Sequence, residues 1–153
     1  MDYHILIIED ETETSKYLKL ALEDENSNFK VQCAENGHIG LEKLAKQQFD
    51  LIVLDLKMPY MLGDEVLHEI RKIDPYATVI VCTNYGKNND EETMNLFRNL
   101  MKEGVDGFIP KGAEADLYET VEVIKKAIKT KLFFQKEGSK NLLKNFFNSL
   151  PKE

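Results

Sequence analysis

The feature that most constrains this chain is a regular alternation of short, near-continuous apolar runs with amphipathic segments. The runs are His4–Ile8, Phe29–Ala34, Leu51–Leu54, Thr78–Cys82 and Val105–Ile109. Most are too short for helices and rich in Ile and Val, and unbroken apolarity suits strands covered on both faces. Between them, Tyr17, Leu18, Ala21 and Leu22 follow helical spacing, as do Gly40, Leu41, Leu44 and Ala45. Val66, Leu67 and Ile70 make a third stripe, Met94, Phe97, Leu100 and Met101 a fourth, and Leu117, Val121, Ile124 and Ile128 a fifth. Strands that alternate with helices in this way predict a (βα)5 parallel sheet of the α/β class.

For a sheet of this size the flavodoxin-like order 2-1-3-4-5 is the commonest solution. The chain of 153 residues is long enough to bury a core without disulfides or a structural metal. It shows no fixed-period repeat, which removes solenoid folds. Its longest early apolar run, Ile5–Ile8, is too short for a signal peptide or a membrane span. Cys33 and Cys82 both lie in apolar stretches and read as buried free thiols of a reducing compartment, so a soluble, cytoplasmic protein is expected.

The net charge of −7 argues against a nucleic-acid-coating surface. It is unevenly spread: Lys125 to Glu153 hold eight lysines against two glutamates, which leaves the body strongly acidic. After Gly138, Ser139 is a candidate N-cap for a last short helix outside the five-unit pattern. Leu142, Leu143, Phe146, Phe147 and Leu150 form its apolar face. Contact with a membrane surface is not expected from so few lysines on that helix.

In an open α/β sheet a ligand site lies beyond the carboxyl ends of the strands. Strand 1 ends in Glu9-Asp10-Glu11, strand 3 in Asp55, strand 4 in Thr83, and strand 5 in Lys111 just after Pro110. Strand 2, at the edge, ends in Cys33-Ala34 and offers no such chemistry. Each residue alone has an ordinary explanation as a turn former, solvated loop or surface side chain. Their joint placement on adjacent strand ends points to shared chemistry. Neighbouring carboxylates repel one another unless a cation relieves them. An all-oxygen site that leaves positions for water suits Mg²⁺, with Mn²⁺ as a substitute. Such an ion can neutralise a phosphoryl group, a lysine and a hydroxyl can hold its oxygens, and a carboxylate can attack phosphorus.

These residues carry a close resemblance to the response-regulator receiver domains of two-component signalling. Glu9-Asp10, Asp55, Thr83 and Lys111 match the family's five signature positions. Asp55-Leu56-Lys57-Met58-Pro59-Tyr60-Met61-Leu62-Gly63 resembles its Asp-x-x-Met-Pro-x-Met-x-Gly loop, and Gly104 to Lys111 its fifth-strand signature. The likeness spans residues 2–131, which implies a receiver domain there and an extension over 132–153. It implies that Asp55 accepts a phosphoryl group from a phosphohistidine on a sensor histidine kinase or phosphotransfer protein. Asp10, Asp55 and the backbone carbonyl of Lys57 would bind Mg²⁺ directly, and Glu9 partly through water. Thr83 and Lys111 would hold phosphoryl oxygens, with Thr83 and Phe108 as the switch pair. Such a domain is a signalling phosphoacceptor rather than an enzyme with a separate substrate, acting on a downstream protein target or a second copy of itself. No direct nucleic-acid binding is expected.

The chain departs from the family in several places. Gly112, not proline, follows Lys111, and the proline is Pro110. Asn84 is larger than the usual small residue after the switch hydroxyl, so Asn84, with Lys57 and Tyr85, would govern water access and phosphoryl lifetime. Phe108 lacks the hydroxyl of the common tyrosine. The separation of Thr83 from Lys111 is longer than usual, with the surplus expected around Gly86–Asp90. Two other readings compete on the same fold. A flavin-binding flavodoxin needs a Ser/Thr/Gly-rich phosphate loop where Glu9-Asp10-Glu11 stands, and those acids would repel the phosphate. A dehalogenase-like hydrolase expects a second acid at position 57, which is lysine. A non-phosphorylated pseudo-receiver scaffold is the third alternative, but such proteins lose acids that this chain keeps.

Overall fold

The structure is a computed structural model that describes residues 1–56, 58–83, 91–110 and 117–137. The chain order is β1 (Tyr3–Ile8), α1 (Thr12–Glu25), β2 (Phe29–Ala34), α2 (Gly37–Lys46), β3 (Leu51–Asp55), α3 (Gly63–Ile73), β4 (Val79–Thr83), α4 (Glu91–Glu103), β5 (Gly107–Pro110) and α5 (Leu117–Glu137). All strand pairs are parallel, in the order β2-β1-β3-β4-β5. The flavodoxin-like (βα)5 expectation therefore holds. The last helix expected after Ser139 lies outside the described residues, whereas α5 runs unbroken through residue 131 to Glu137.

Strand alternation divides the core into two layers. Leu6, Ile8, Ile52, Leu54, Val79 and Val81 face one side and pack under Leu44, Val66, Leu67, Ile70, Leu96 and Leu100 of α2, α3 and α4. Ile5, Ile7, Leu51, Val53, Ile80 and Ile109 face the other and pack under Leu18, Leu22, Val121, Ile124 and Ile128 of α1 and α5. Both faces of the central strands are thus apolar, which is why those strands read as continuous runs. Burying each such side chain contributes roughly 1.5–3 kcal/mol.

Several details differ from the periodicity. Tyr17 and Met101 are exposed although they fall on their helical stripes, because Leu18 and Leu100 beside them occupy the inward positions. Cys33 is only half-buried, a correction to its reading as a core thiol, while Cys82 is buried. Strand β5 begins at Gly107 rather than Val105. The cause is Asp106, whose carboxylate accepts from the Val79 amide at 2.8 Å while its own amide donates to the Val79 carbonyl at 2.8 Å. Asp50 repeats the device before β3, accepting from the His4 amide at 2.8 Å and donating to its carbonyl at 2.7 Å. Arg71 of α3 adds a bridge to the Ala77 carbonyl at 2.6 Å and the Gly104 carbonyl at 2.7 Å. These contacts tie the end of the sheet opposite the acids and leave the carboxyl ends of the strands free to carry the site.

Candidate functional site

Strands β1 and β3 are neighbours, and Ile8 lies opposite Leu54. Both strands stop at the same edge, so Glu9 and Asp10 meet Asp55 there. The ladder holds Glu9 in place because its amide donates to the Ala34 carbonyl of β2 at 3.0 Å. One carboxylate oxygen from each of Glu9, Asp10 and Asp55 lies within 4.8 Å of the others. Glu9 and Asp55 are buried and Asp10 is half-buried. Glu9 also accepts from the Glu11 amide at 3.2 Å. Glu11 itself sits at the start of α1 and accepts from the Thr14 hydroxyl at 3.0 Å. Two of the three consecutive acids therefore join Asp55, and the third begins a helix.

Carboxylates this close, two of them out of water, favour a bound cation over mutual repulsion. In octahedral Mg²⁺ coordination at about 2.1 Å, adjacent ligand oxygens are about 3.0 Å apart and opposite ones about 4.2 Å. The three oxygens, within 4.8 Å of one another, are close enough for side-chain rotation to reach that span, and their all-oxygen chemistry suits a hard divalent ion.

The segment after Asp55 forms a closed loop. Met58 is buried and Met61 packs against the α2–α4 layer. The Gly63 amide returns to the Leu56 carbonyl at 2.9 Å. A Cβ at Gly63 would stand 2.8 Å from the Leu56 Cα and 2.9 Å from the Asp55 carbonyl oxygen, so the motif's glycine answers a close backbone approach. Tyr60 has φ of +73° and is 87% exposed. Following Pro59, it fits the second corner of a type II turn, which favours Gly or Asn. A left-handed conformation costs an L-residue roughly 1–2 kcal/mol. In the sequence, the Pro59-Tyr60 pair is the signal for this turn.

The remaining expected residues separate by strand. Thr83 ends β4, one residue beyond Cys82, which lies opposite Asp55. Its backbone therefore borders the acids on the β4 side. Phe108 of β5 lies opposite Val81 and packs, half-buried, against the α2–α4 layer. Lys57, Asn84, Tyr85 and Lys111 lie outside the described residues, as do the Gly86–Asp90 surplus and the Lys111-Gly112 peptide.

Comparison with known proteins gives a consistent result. Residues 5–122 match the family model for the response regulator receiver domain. The chain is 30% identical to the chemotaxis protein CheY of Bacillus subtilis over 131 residues, which cover 84% of this chain and 99% of that protein. It is 32% identical over 120 residues to the transcriptional regulatory protein GlrR of Escherichia coli, covering 78% of this chain. The match spans only 25% of the length of GlrR. The crystal structure of a CheY-like receiver domain protein from Methanospirillum hungatei superposes with a TM-score of 0.72 at 27% identity, covering 86% of this chain and 97% of that one.

Proposed function

The chain belongs to the response regulator receiver domain family, and on that premise we propose that Asp55 is its phosphoacceptor. The observation that carries this reading is the meeting of the Glu9, Asp10 and Asp55 carboxylates within 4.8 Å at two adjacent strand ends. A carboxylate oxygen of Asp55 attacks the phosphorus of a phosphohistidine on a sensor kinase or phosphotransfer protein. The new P–O bond forms as the P–N bond breaks, its electron pair returning to the ring nitrogen. The imidazole, protonated on its other nitrogen, leaves neutral.

Asp10 and Asp55 would hold Mg²⁺ directly, with the Lys57 carbonyl, and Glu9 would act partly through water. When bound, the ion supplies charge neutralisation for the carboxylates and the transferring oxygens. Thr83 and Lys111 bond phosphoryl oxygens, and Thr83 and Phe108 transmit the change to a protein-binding surface. Asn84, Lys57 and Tyr85 set the access of water and so the phosphoryl lifetime. The half-buried position of Phe108 in the α2–α4 layer supports its switch role, because a shift there alters packing rather than solvent alone. No helix among the described residues is long and apolar enough to cross a membrane. Its two free thiols support a cytoplasmic partner of a histidine kinase. Its output is contact with a downstream protein or a second copy of the chain.

Acetyl phosphate with Mg²⁺ tests the assignment. Intact mass is expected to rise by one phosphoryl group in the wild type and not in Asp55→Asn. The same modification persisting in Asp55→Asn sinks the assignment.

A further inference from the structure

The loop after Asp55 displays an aromatic ring on a backbone that disfavours it. Tyr60 is the only non-glycine residue with positive φ among the described residues. Burial within the chain could offset that cost, but the side chain is 87% exposed. The methionines on either side turn inward, Met58 into the core and Met61 against it, so the loop is firmly anchored. Leu62, two residues on, is also exposed. An anchored loop thus presents a tyrosine and a leucine to solvent, the tyrosine at a turn position that Gly or Asn would fill with less strain. Strain held at an exposed position beside a reactive group motivates a hypothesis of function.

The position narrows the function. Asp55 is buried, so a phosphohistidine reaches it only from a surface pressed against the rim of the site. The Gly63–Leu56 hydrogen bond pinches the loop at its base, and Tyr60 is four residues from Leu56. Its Cα therefore lies at most about 14 Å from that base. Even a small protein interface of about 600 Å² per partner is a disc roughly 14 Å in radius. Asp55 directly precedes Leu56, so Tyr60 lies at or near the rim of the surface that such a donor would cover.

We propose that Tyr60 is a specificity-determining contact for the protein that donates the phosphoryl group, its ring entering an apolar patch beside the donor's phosphohistidine. Tyrosine suits this role because it brings a large apolar area with few rotamers to lose, and it is enriched among residues that dominate interfaces. The inference rests on Asp55 being the phosphoacceptor.

The test uses the full chain, two donors and two variants. Tyr60→Gly keeps the turn and removes the ring, while Tyr60→Phe keeps the ring. The small donor is acetyl phosphate, and the protein donors are phosphorylated cytoplasmic fragments of histidine kinases from the same organism. Labelling of Tyr60→Gly by acetyl phosphate should stay within twofold of wild type. Its kcat/KM with the best kinase donor should fall at least tenfold, chiefly through KM, and Tyr60→Phe should restore most of it. Unchanged transfer from the kinase overturns the proposal. So does an equal loss with both donors, which would make Tyr60 a determinant of loop shape alone. A wild type labelled by acetyl phosphate but by no kinase fragment also overturns it. Failure of acetyl phosphate to label the wild type removes the Asp55 reading instead, and this proposal with it.

Discussion

The Gly63 amide donates to the Leu56 carbonyl at 2.9 Å, closing the loop after Asp55 onto the first turn of α3. No side chain fits at Gly63, since a Cβ there would lie 2.8 Å from the Leu56 Cα. The obstacle is backbone and cannot rotate away. Gly63→Ala would gain up to about 1 kcal/mol in helix propensity. Overpacking costs typically 1–3 kcal/mol, so the clash should win. The variant is expected to melt lower and to bind Mg²⁺ more weakly, because the loop leads directly from Asp55. Thermal unfolding and Mg²⁺ titration check this, and an equally stable variant with wild-type affinity contradicts it.

The acid cluster predicts an order of effects. Asp10→Asn should weaken Mg²⁺ binding more than Glu9→Gln, because Asp10 is proposed as a direct ligand and Glu9 as acting partly through water. Loss of one ligating carboxylate is expected to cost tenfold or more in affinity, about 1.4 kcal/mol. Isothermal titration of the two variants decides the matter, and superimposable curves would reject the division of roles.

Asp106 offers a test of the sheet's other end. Its carboxylate satisfies the amide of Val79, a residue with no exposed surface. Asp106→Ala strands that donor at a cost of about 1–3 kcal/mol. For a chain of this size that corresponds to a drop of very roughly 2–12 °C in melting temperature. Asp106→Asn keeps an acceptor oxygen and should retain most of the stability. Comparable losses in the two variants would show that charge, not the hydrogen bond, matters there.

Cys33 should react slowly for a half-exposed thiol. Burial is the main cause raising its pKa above the ordinary value of 9.0, with Glu23 acting the same way and the Ser15 hydroxyl, Lys19 and Lys43 pulling it down. The thiolate is the nucleophile, so the alkylation profile should shift to higher pH on folding. Because the folded state holds the proton more tightly, its contribution to stability is full below the unfolded pKa. It is lost as pH rises through the folded one. Iodoacetamide labelling followed peptide by peptide, folded against urea-unfolded, measures the shift. A folded profile at or below the unfolded one contradicts it.

The alternation of apolar runs and helical stripes was enough to predict a parallel sheet, because both strand faces must be covered and crossovers are right-handed, while its order was expected only as the commonest arrangement for a sheet of this size. The acids Glu9, Asp10 and Asp55 were legible for a related reason, since the Glu9-Asp10 pair and Asp55 each directly follow an apolar run and so fall at a strand end. Tertiary structure decided what local pattern does not carry. Register brought Glu9 and Asp10 to Asp55 while the turn into α1 took Glu11 away. Pairing across separate strands made Asp50 and Asp106 into backbone acceptors, though each looks like an ordinary turn acid in the sequence. Closure of the loop by Gly63 accompanies the left-handed backbone at Tyr60 and the display of its ring. Periodicity reports which face of an element is buried, whereas hydrogen bonds between distant segments and the strain of a closed loop depend on which backbones meet, and only the assembled fold specifies that.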